Sequence, residues 1–428
     1  MSTRRRTHVR ALVSGLIALG VTAPLAAPAT AAPATAAPPH HRPAGAGAVL
    51  AVEEEATLSA ATVAETLEKA GIDSSRVRYD VTWYRVLYRT TDSDGAPVVA
   101  SQLVVLPGNQ VRTLPVVSWL HGTTVYKGDV ASVNPNSSDR RAALFFASTG
   151  RAVSAPDYVG LGRGEGIHPY GDPGATVSAS VDALRAARSL AHRKGRELDR
   201  EVQISGFSQG GPAAMMVGRA LQREGADRYF RPSALATVGG PFHLSAFEAA
   251  AADDEIANSG LYLAYFVTAW NRLYGLYASP SEAFRAPFDQ KVERLFDGDH
   301  TGADIQRELP AASKDLFTAE FLDRIRRPGG VLKDRLRALD TTCDWRPGVP
   351  VQIFHSKGDK DVGFGNAEHC GDQLTRNHAD HRLTDLGDHD HNSSVKQALP
   401  RIADFFDQHG DEHGGKHGTP GPVAASAP

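Results

Sequence analysis

Ten residues near the middle of the chain, VQISGFSQGG at positions 202–211, contain a Gly-x-Ser-x-Gly motif directly after a short apolar run. The apolar run predicts a buried strand, and the small residues that follow Pro212 predict a helix. A serine on such a tight strand-to-helix turn projects its hydroxyl above the sheet. Side chains at Gly206 and Gly210 would collide with neighbouring backbone, so the glycines are required there. We therefore take Ser208 as the candidate nucleophile.

Apolar strands and helices alternate on both sides of this turn. The pattern favours an α/β protein with a mostly parallel sheet and helices on both faces. Asp94-Gly95 is a strong hairpin signal, so an antiparallel pair is expected at the N-terminal edge. The predicted strands are residues 81–88, 96–106, 114–120, 152–155, 202–205, 235–238, 349–354 and 383–386.

A serine nucleophile needs a base and an acid that orients the base, in the chain order Ser, acid, His for this type of turn. The loop after the strand at 349–354 contains two aspartates, of which we favour Asp359 over Asp361 as the acid. The turn after the last predicted strand contains two histidines, and we favour His391 over His389 as the base. Metal binding by this Asp-His-Asp-His run would need a further ligand cluster at suitable spacing, which the sequence lacks.

The oxyanion of an acyl-transfer reaction is stabilised by backbone N–H donors. Gln209, the residue after the candidate nucleophile, is expected to supply one donor. Thr123 lies in a His-Gly-Thr-Thr segment after an early strand, where the second donor is expected. Asp157 begins a glycine-rich loop that could also line the site. The glycines of that loop depart from Gly-x-Gly-x-x-Gly, so no dinucleotide cofactor site is predicted.

The segment at 242–340 is rich in aromatic residues and interrupts the strand pattern. Its Tyr262, Phe266 and Trp270 fall within one narrow arc of a predicted helix. Two interpretations stay open for this arc. The rings form either the packing core of a helical cap or a surface that binds the acyl chain of a substrate.

The two ends of the chain differ from its body. Residues 1–31 combine a basic start, an apolar stretch at 11–25 and small residues at 29–31, which is the pattern of a secretory signal peptide. An Ala/Pro-rich linker at 32–52 is expected to follow. The Gly-, Pro- and His-rich residues 409–428 predict a disordered tail. The protein is therefore expected to be secreted.

Cysteine usage agrees with export, because Cys343 and Cys370 are the chain's two cysteines. An even pair in an oxidising compartment predicts a disulfide. This bond would brace the loop that carries Asp359, since the two cysteines flank it.

Composition and charge exclude several functional classes. The chain has 428 residues, of which 41% are hydrophobic and 22% are charged, as in globular proteins. A net charge of −3 provides no basic field for nucleic acid. No apolar run reaches the roughly 18 residues of a membrane helix, so no stable membrane anchor is predicted.

Taken in order, these motifs resemble the secretory lipase family, the lipase-A-like branch of the α/β-hydrolases. The resemblance spans roughly residues 75–406. It implies an α/β-hydrolase core in two parts, 53–241 and 341–408, with the helical cap 242–340 inserted after the sixth strand. It also implies an oxyanion role for Asp157. The resemblance is carried by Leu120-His121-Gly122-Thr123, Pro156 to Gly162, His168-Pro169-Tyr170, Asp182 to Ala187, Gly206 to Gly211 and the Asp359 loop.

The expected function is that of a secreted serine hydrolase that cleaves carboxylic esters through an acyl-enzyme. No metal or organic cofactor is expected, and no protein partner is inferable. A peptidase on the same fold is the first alternative, and it would need a charged anchor for a peptide terminus. A binding protein without catalytic activity is the second, and it would be expected to lack a member of the triad.

Overall fold

The computed structural model describes residues 45–223 and 227–410. The predicted signal peptide, most of the predicted linker and all but the first two residues of the predicted tail lie outside these ranges. Within them, no helix is long and apolar enough to cross a membrane.

Nine strands form one sheet in the order β1-β2-β3-β5-β4-β6-β7-β8-β9. The strands from β1 to β3 pair antiparallel, as does β3 with β5, and all pairs beyond β5 are parallel. Every strand predicted from the sequence overlaps an observed one. The strands are β1 Val49–Leu58, β2 Val81–Thr91, β3 Pro97–Pro107, β4 Thr113–Leu120, β5 Ala152–Pro156, β6 Glu197–Phe207, β7 Arg231–Val238, β8 Val351–His355 and β9 His381–Asp385.

Helices cover both faces of the sheet, which confirms the predicted α/β architecture. One buried cluster joins the sheet to α3, α4 and α13, and a second joins its other face to α1, α2 and α14. The helices of this core are α1 Ala60–Lys69, α2 Ser138–Ser148, α3 Pro173–Arg193, α4 Gly210–Gln222, α13 Gly365–Arg376 and α14 His391–Gly410.

The segment between β7 and β8, which contains residues 242–340, is helical, and we call it the cap. Its residues add no strand to the nine-stranded sheet. Cys343 follows the last cap helix and forms a disulfide with Cys370 of α13, as predicted. The helices are α5 Leu244–Ala252, α6 Ser259–Tyr274, α7 Pro280–Ala283, the 3-10 helix Phe288–Gln290, α8 Val292–Leu295, α9 Gly302–Glu308, α10 Ser313–Leu316, α11 Ala319–Arg326 and α12 Gly330–Asp340.

The linker prediction for residues 32–52 extends too far, because β1 begins at Val49. This strand pairs with β2 along one edge of the sheet, and its register shifts twice. Its middle carries Glu53, Glu54 and Glu55, all exposed. An edge strand with register shifts and little burial lacks the apolar alternation by which strands are recognised in a sequence. The inserted cap consequently follows the seventh strand in chain order, whereas six were expected before it.

Candidate active site

Ser208 occupies the turn between β6 and α4, as the Gly-x-Ser-x-Gly motif predicts. Its φ angle is 54°, a left-handed conformation that non-glycine residues adopt at a cost of about 1–3 kcal/mol. The Ser208 N–H donates a hydrogen bond to the carbonyl of Val238 at 2.9 Å, which ties the turn to the end of β7. The strained backbone is therefore held by the neighbouring strand.

The glycines on either side of the turn are required by close backbone approach. A Cβ atom on Gly206 would lie 2.0 Å from the carbonyl oxygen of Gly210. A Cβ atom on Gly210 would lie 2.0 Å from the carbonyl oxygen of Leu120. Both distances are shorter than any tolerated contact, so larger residues would displace the turn that presents Ser208.

His391 and Asp359 form a buried hydrogen-bonded pair beside this turn. The His391 Nδ1 lies 2.6 Å from Asp359 Oδ2, and the two residues are 4% and 5% exposed. The imidazole packs against the ring of Phe207, the residue before Ser208, with 4.6 Å between the two ring centroids. It also borders Gly239, where an added Cβ would lie 3.3 Å from its Cε1. Because a carboxylate only accepts hydrogen bonds, the Nδ1 atom donates and the Nε2 atom is left as the basic position.

The Asp359 carboxylate is also anchored by its own loop. Its Oδ1 accepts hydrogen bonds from the backbone N–H groups of Asp361 and Val362, each at 2.9 Å. Buried His355 lies behind it, with Nε2 3.6 Å from Asp359 Oδ2. The carboxylate is therefore fixed in direction before it contacts His391.

The two alternative residues point elsewhere. Asp361 Oδ1 accepts hydrogen bonds from the Tyr262 hydroxyl at 2.9 Å and from Asn258 Nδ2 at 3.0 Å, both in the cap. His389 is partly exposed, and its backbone bonds the Ser356 hydroxyl. The geometry thus brings together Asp359 and His391 rather than Asp361 and His389.

Two backbone N–H groups near Ser208 are the donors predicted for an oxyanion, those of Gln209 and Thr123. Among the described residues, none accepts a hydrogen bond from the N–H of Gln209 or Thr123. The Thr123 loop approaches the nucleophile closely, since a Cβ atom on Gly122 would lie 3.3 Å from Ser208 Cβ. The Thr123 hydroxyl is 2.8 Å from that of Tyr170. Both donors predicted from the sequence therefore remain candidates.

Asp157 is placed differently from the expectation. Its Oδ2 accepts hydrogen bonds from the Ser101 and Ser132 hydroxyls, and its N–H donates to the Ser101 carbonyl at 2.9 Å. Burial raises the pKa of this fully enclosed carboxyl, and the serine bonds oppose that shift. Since its N–H and its carboxylate are already bonded within the core, we leave Asp157 out of the oxyanion hole.

A cavity of about 530 Å³ lies between the Thr123 loop and the cap helix α6. Tyr262 lines it, together with Tyr265, which was not among the residues predicted from the sequence. Phe266 and Trp270 are not part of its lining. Both are buried, and the Trp270 Nε1–H donates to the Tyr170 carbonyl at 3.0 Å. Of the predicted aromatic arc, Tyr262 therefore faces the cavity while the other two rings fill the core.

His168 was not predicted as a site residue, although His168-Pro169-Tyr170 contributed to the resemblance. The side chain is 5% exposed, and its Nε2 lies 3.3 Å from the side-chain nitrogen of Gln209. A histidine spaced 40 residues from the nucleophile gives no local pattern, so its contact with Gln209 appears only in the fold.

No protein-family model matches the chain, and no curated protein matches its sequence. Solved structures do match. The rice cell wall degrading esterase LipA of Xanthomonas oryzae is 25% identical, covers 86% of this chain and 100% of its own, and superposes with a TM-score of 0.75. A Legionella pneumophila protein is 24% identical over 85% of this chain and 100% of its own, with a TM-score of 0.76.

Lipase A of Candida antarctica in its closed state is 15% identical. The match covers 88% of this chain and 86% of the lipase, with a TM-score of 0.62. These similarities agree with the sheet order, the strand-turn-helix at Ser208 and the helical insertion. The protein has the α/β-hydrolase fold, and its structure is similar to those of LipA and lipase A.

Proposed function

We propose that the protein is a serine carboxylic-ester hydrolase in which Ser208, His391 and Asp359 form the catalytic triad. The Ser208 oxygen attacks the ester carbonyl carbon while His391 Nε2 takes the hydroxyl proton. The backbone N–H groups of Gln209 and Thr123 stabilise the oxyanion of the tetrahedral intermediate. That intermediate collapses to an acyl-enzyme, and the alcohol leaves with the proton from His391. Water, activated by the same imidazole, then releases the acid and restores Ser208.

The observation that carries the proposal is the buried Asp359–His391 pair at 2.6 Å beside a strained Ser208. A buried carboxylate fixes the imidazole tautomer and stabilises the imidazolium that forms. Two similar structures are described as an esterase and a lipase, which favours esters as the substrate class.

Export is the second part of the proposal. It rests on the signal-peptide pattern of residues 1–31 and on the Cys343–Cys370 disulfide, because disulfides persist in oxidising compartments. Secretion of the mature protein into the medium, with the first residues removed, is the expected outcome of expression with its own leader.

The direct test is Ser208→Ala in the purified mature protein, assayed with 4-nitrophenyl esters and with aminoacyl anilides. We expect the wild type to cleave the esters and the variant to lose about 10⁴-fold in kcat, with its thermal unfolding unchanged. Preferential cleavage of the anilides would favour the peptidase alternative. Absence of both activities in the wild type would favour the binding protein, and a variant with more than a tenth of wild-type activity would refute the triad.

A further inference from the structure

His168 is a buried side chain next to the reaction centre for which the proposed mechanism has no use. Its Nδ1 lies 2.9 Å from the carbonyl oxygen of Val159. A carbonyl only accepts hydrogen bonds, so Nδ1 carries the proton. Burial lowers the pKa of His168 to about 3, and the ring is therefore neutral at the pH of an ester assay. Its Nε2 atom consequently presents a lone pair.

That lone pair faces Gln209, whose side-chain nitrogen lies 3.3 Å away and donates to it. Gln209 is itself only 9% exposed. Its other amide atom, Oε1, has no hydrogen-bond partner among the described residues. His168 is therefore the group that fixes the direction of the Gln209 amide.

The ring of His168 is in turn held on several sides. It stacks on Tyr158 with an interplanar angle of 9° and a centroid distance of 5.9 Å, and its edge meets Tyr170. Its backbone is equally confined, because a Cβ atom on Gly160 would lie 2.3 Å from the His168 nitrogen. A side chain fixed in this way is a rigid partner for Gln209.

We propose that His168 is a positioning residue for the oxyanion hole, which it serves by accepting a hydrogen bond from the Gln209 side chain. Gln209 follows Ser208 directly, and its backbone N–H is one of the two donors assigned above. A rotation of the Gln209 backbone would change the direction of that N–H. The left-handed φ angle of Ser208 is strained, so relaxation of the turn would produce such a rotation if the Gln209 side chain were not held. This inference rests on the proposed ester hydrolysis.

Two substitutions separate the roles of the two ring nitrogens. His168→Gln places an amide oxygen near the position of Nε2 and keeps an acceptor for Gln209. His168→Asn places an amide nitrogen near the position of Nδ1 and keeps the donor to Val159, but loses the contact with Gln209. We expect His168→Asn to lower kcat about tenfold with KM little changed, and His168→Gln to lose clearly less. The assay is steady-state hydrolysis of 4-nitrophenyl butyrate, with thermal unfolding of each variant.

A double-mutant cycle with Gln209→Met completes the test. If the contact acts as proposed, Gln209→Met lowers kcat by a similar factor, and the double variant with His168→Asn is no worse than either single one. Additive losses of kcat in the double variant would overturn the proposal. A greater loss of kcat in His168→Gln than in His168→Asn would also overturn it, because His168 would then act only by binding the Val159 carbonyl. If His168→Asn does not fold, the test is made with Gln209→Met alone. A wild-type kcat in Gln209→Met would refute the positioning role of His168. A wild type without esterase activity would instead refute the proposed function.

Discussion

Replacing Asp359 by Asn tests the candidate triad at its acid, whose side chain is fully buried. In the wild type, Asp359 Oδ2 accepts the Nδ1–H of His391 at 2.6 Å, and Oδ1 accepts two backbone N–H groups. The asparagine oxygen retains the two backbone bonds, so its amide nitrogen is directed at His391. Two donors then face each other unless the imidazole moves its proton to Nε2. That tautomer has no lone pair for the Ser208 proton.

The expected loss follows from this change of tautomer. Enzymes of this type lose about 10⁴-fold in kcat, or roughly 5.4 kcal/mol at 1.36 kcal/mol per decade. The folded state loses one charge-assisted hydrogen bond, about 1.5–3 kcal/mol, and keeps the two backbone bonds. We therefore expect a folded variant with a moderately lower Tm and almost no activity.

Asp361→Asn is the matched control, two residues away on the same loop. Its carboxylate bonds the cap residues Tyr262 and Asn258 rather than the imidazole, so kcat should remain within about threefold of the wild type. Initial rates of 4-nitrophenyl butyrate hydrolysis and thermal unfolding curves give both quantities. A kcat for Asp359→Asn within tenfold of the wild type, or equal losses of kcat in the two variants, would show that Asp359 is not the acid of the triad.

Two further predictions concern stability. Trp270→Ala should lower the free energy of unfolding by about 3–5 kcal/mol, because the ring is buried. Since the ring lies outside the cavity, kcat/KM for acetate and for long-chain esters should fall by the same factor. A larger fall for the long-chain esters would show that the ring contacts the acyl chain. Reduction of Cys343–Cys370, which closes a span of 27 residues, should lower the free energy of unfolding by about 3–4 kcal/mol; an unchanged Tm in reductant, or two thiols titrating in the native protein, would contradict it.

Local patterns in the sequence were sufficient for the parts of the molecule that depend on near neighbours. The strand, turn and helix around Ser208 follow from apolar periodicity and two glycines within ten residues, and the glycine contacts at 2.0 Å supply the physical reason. The buried strands of the parallel part of the sheet are also recognisable in the sequence. Both of their faces are covered, so they appear as apolar runs. Edge strand β1, exposed and rich in glutamate, lacks that signal.

The choice among chemically equivalent residues depended on tertiary structure. Asp359 and Asp361 stand two positions apart, as do His389 and His391, so composition and spacing treat each pair alike. The fold separates them, because the chain turns one carboxylate toward the buried imidazole and the other toward the cap. Likewise, a helical arc of aromatic rings has the same periodicity whether it faces a cavity or a core. Only the packing of α6 against its neighbours places Tyr262 at the cavity and buries Trp270.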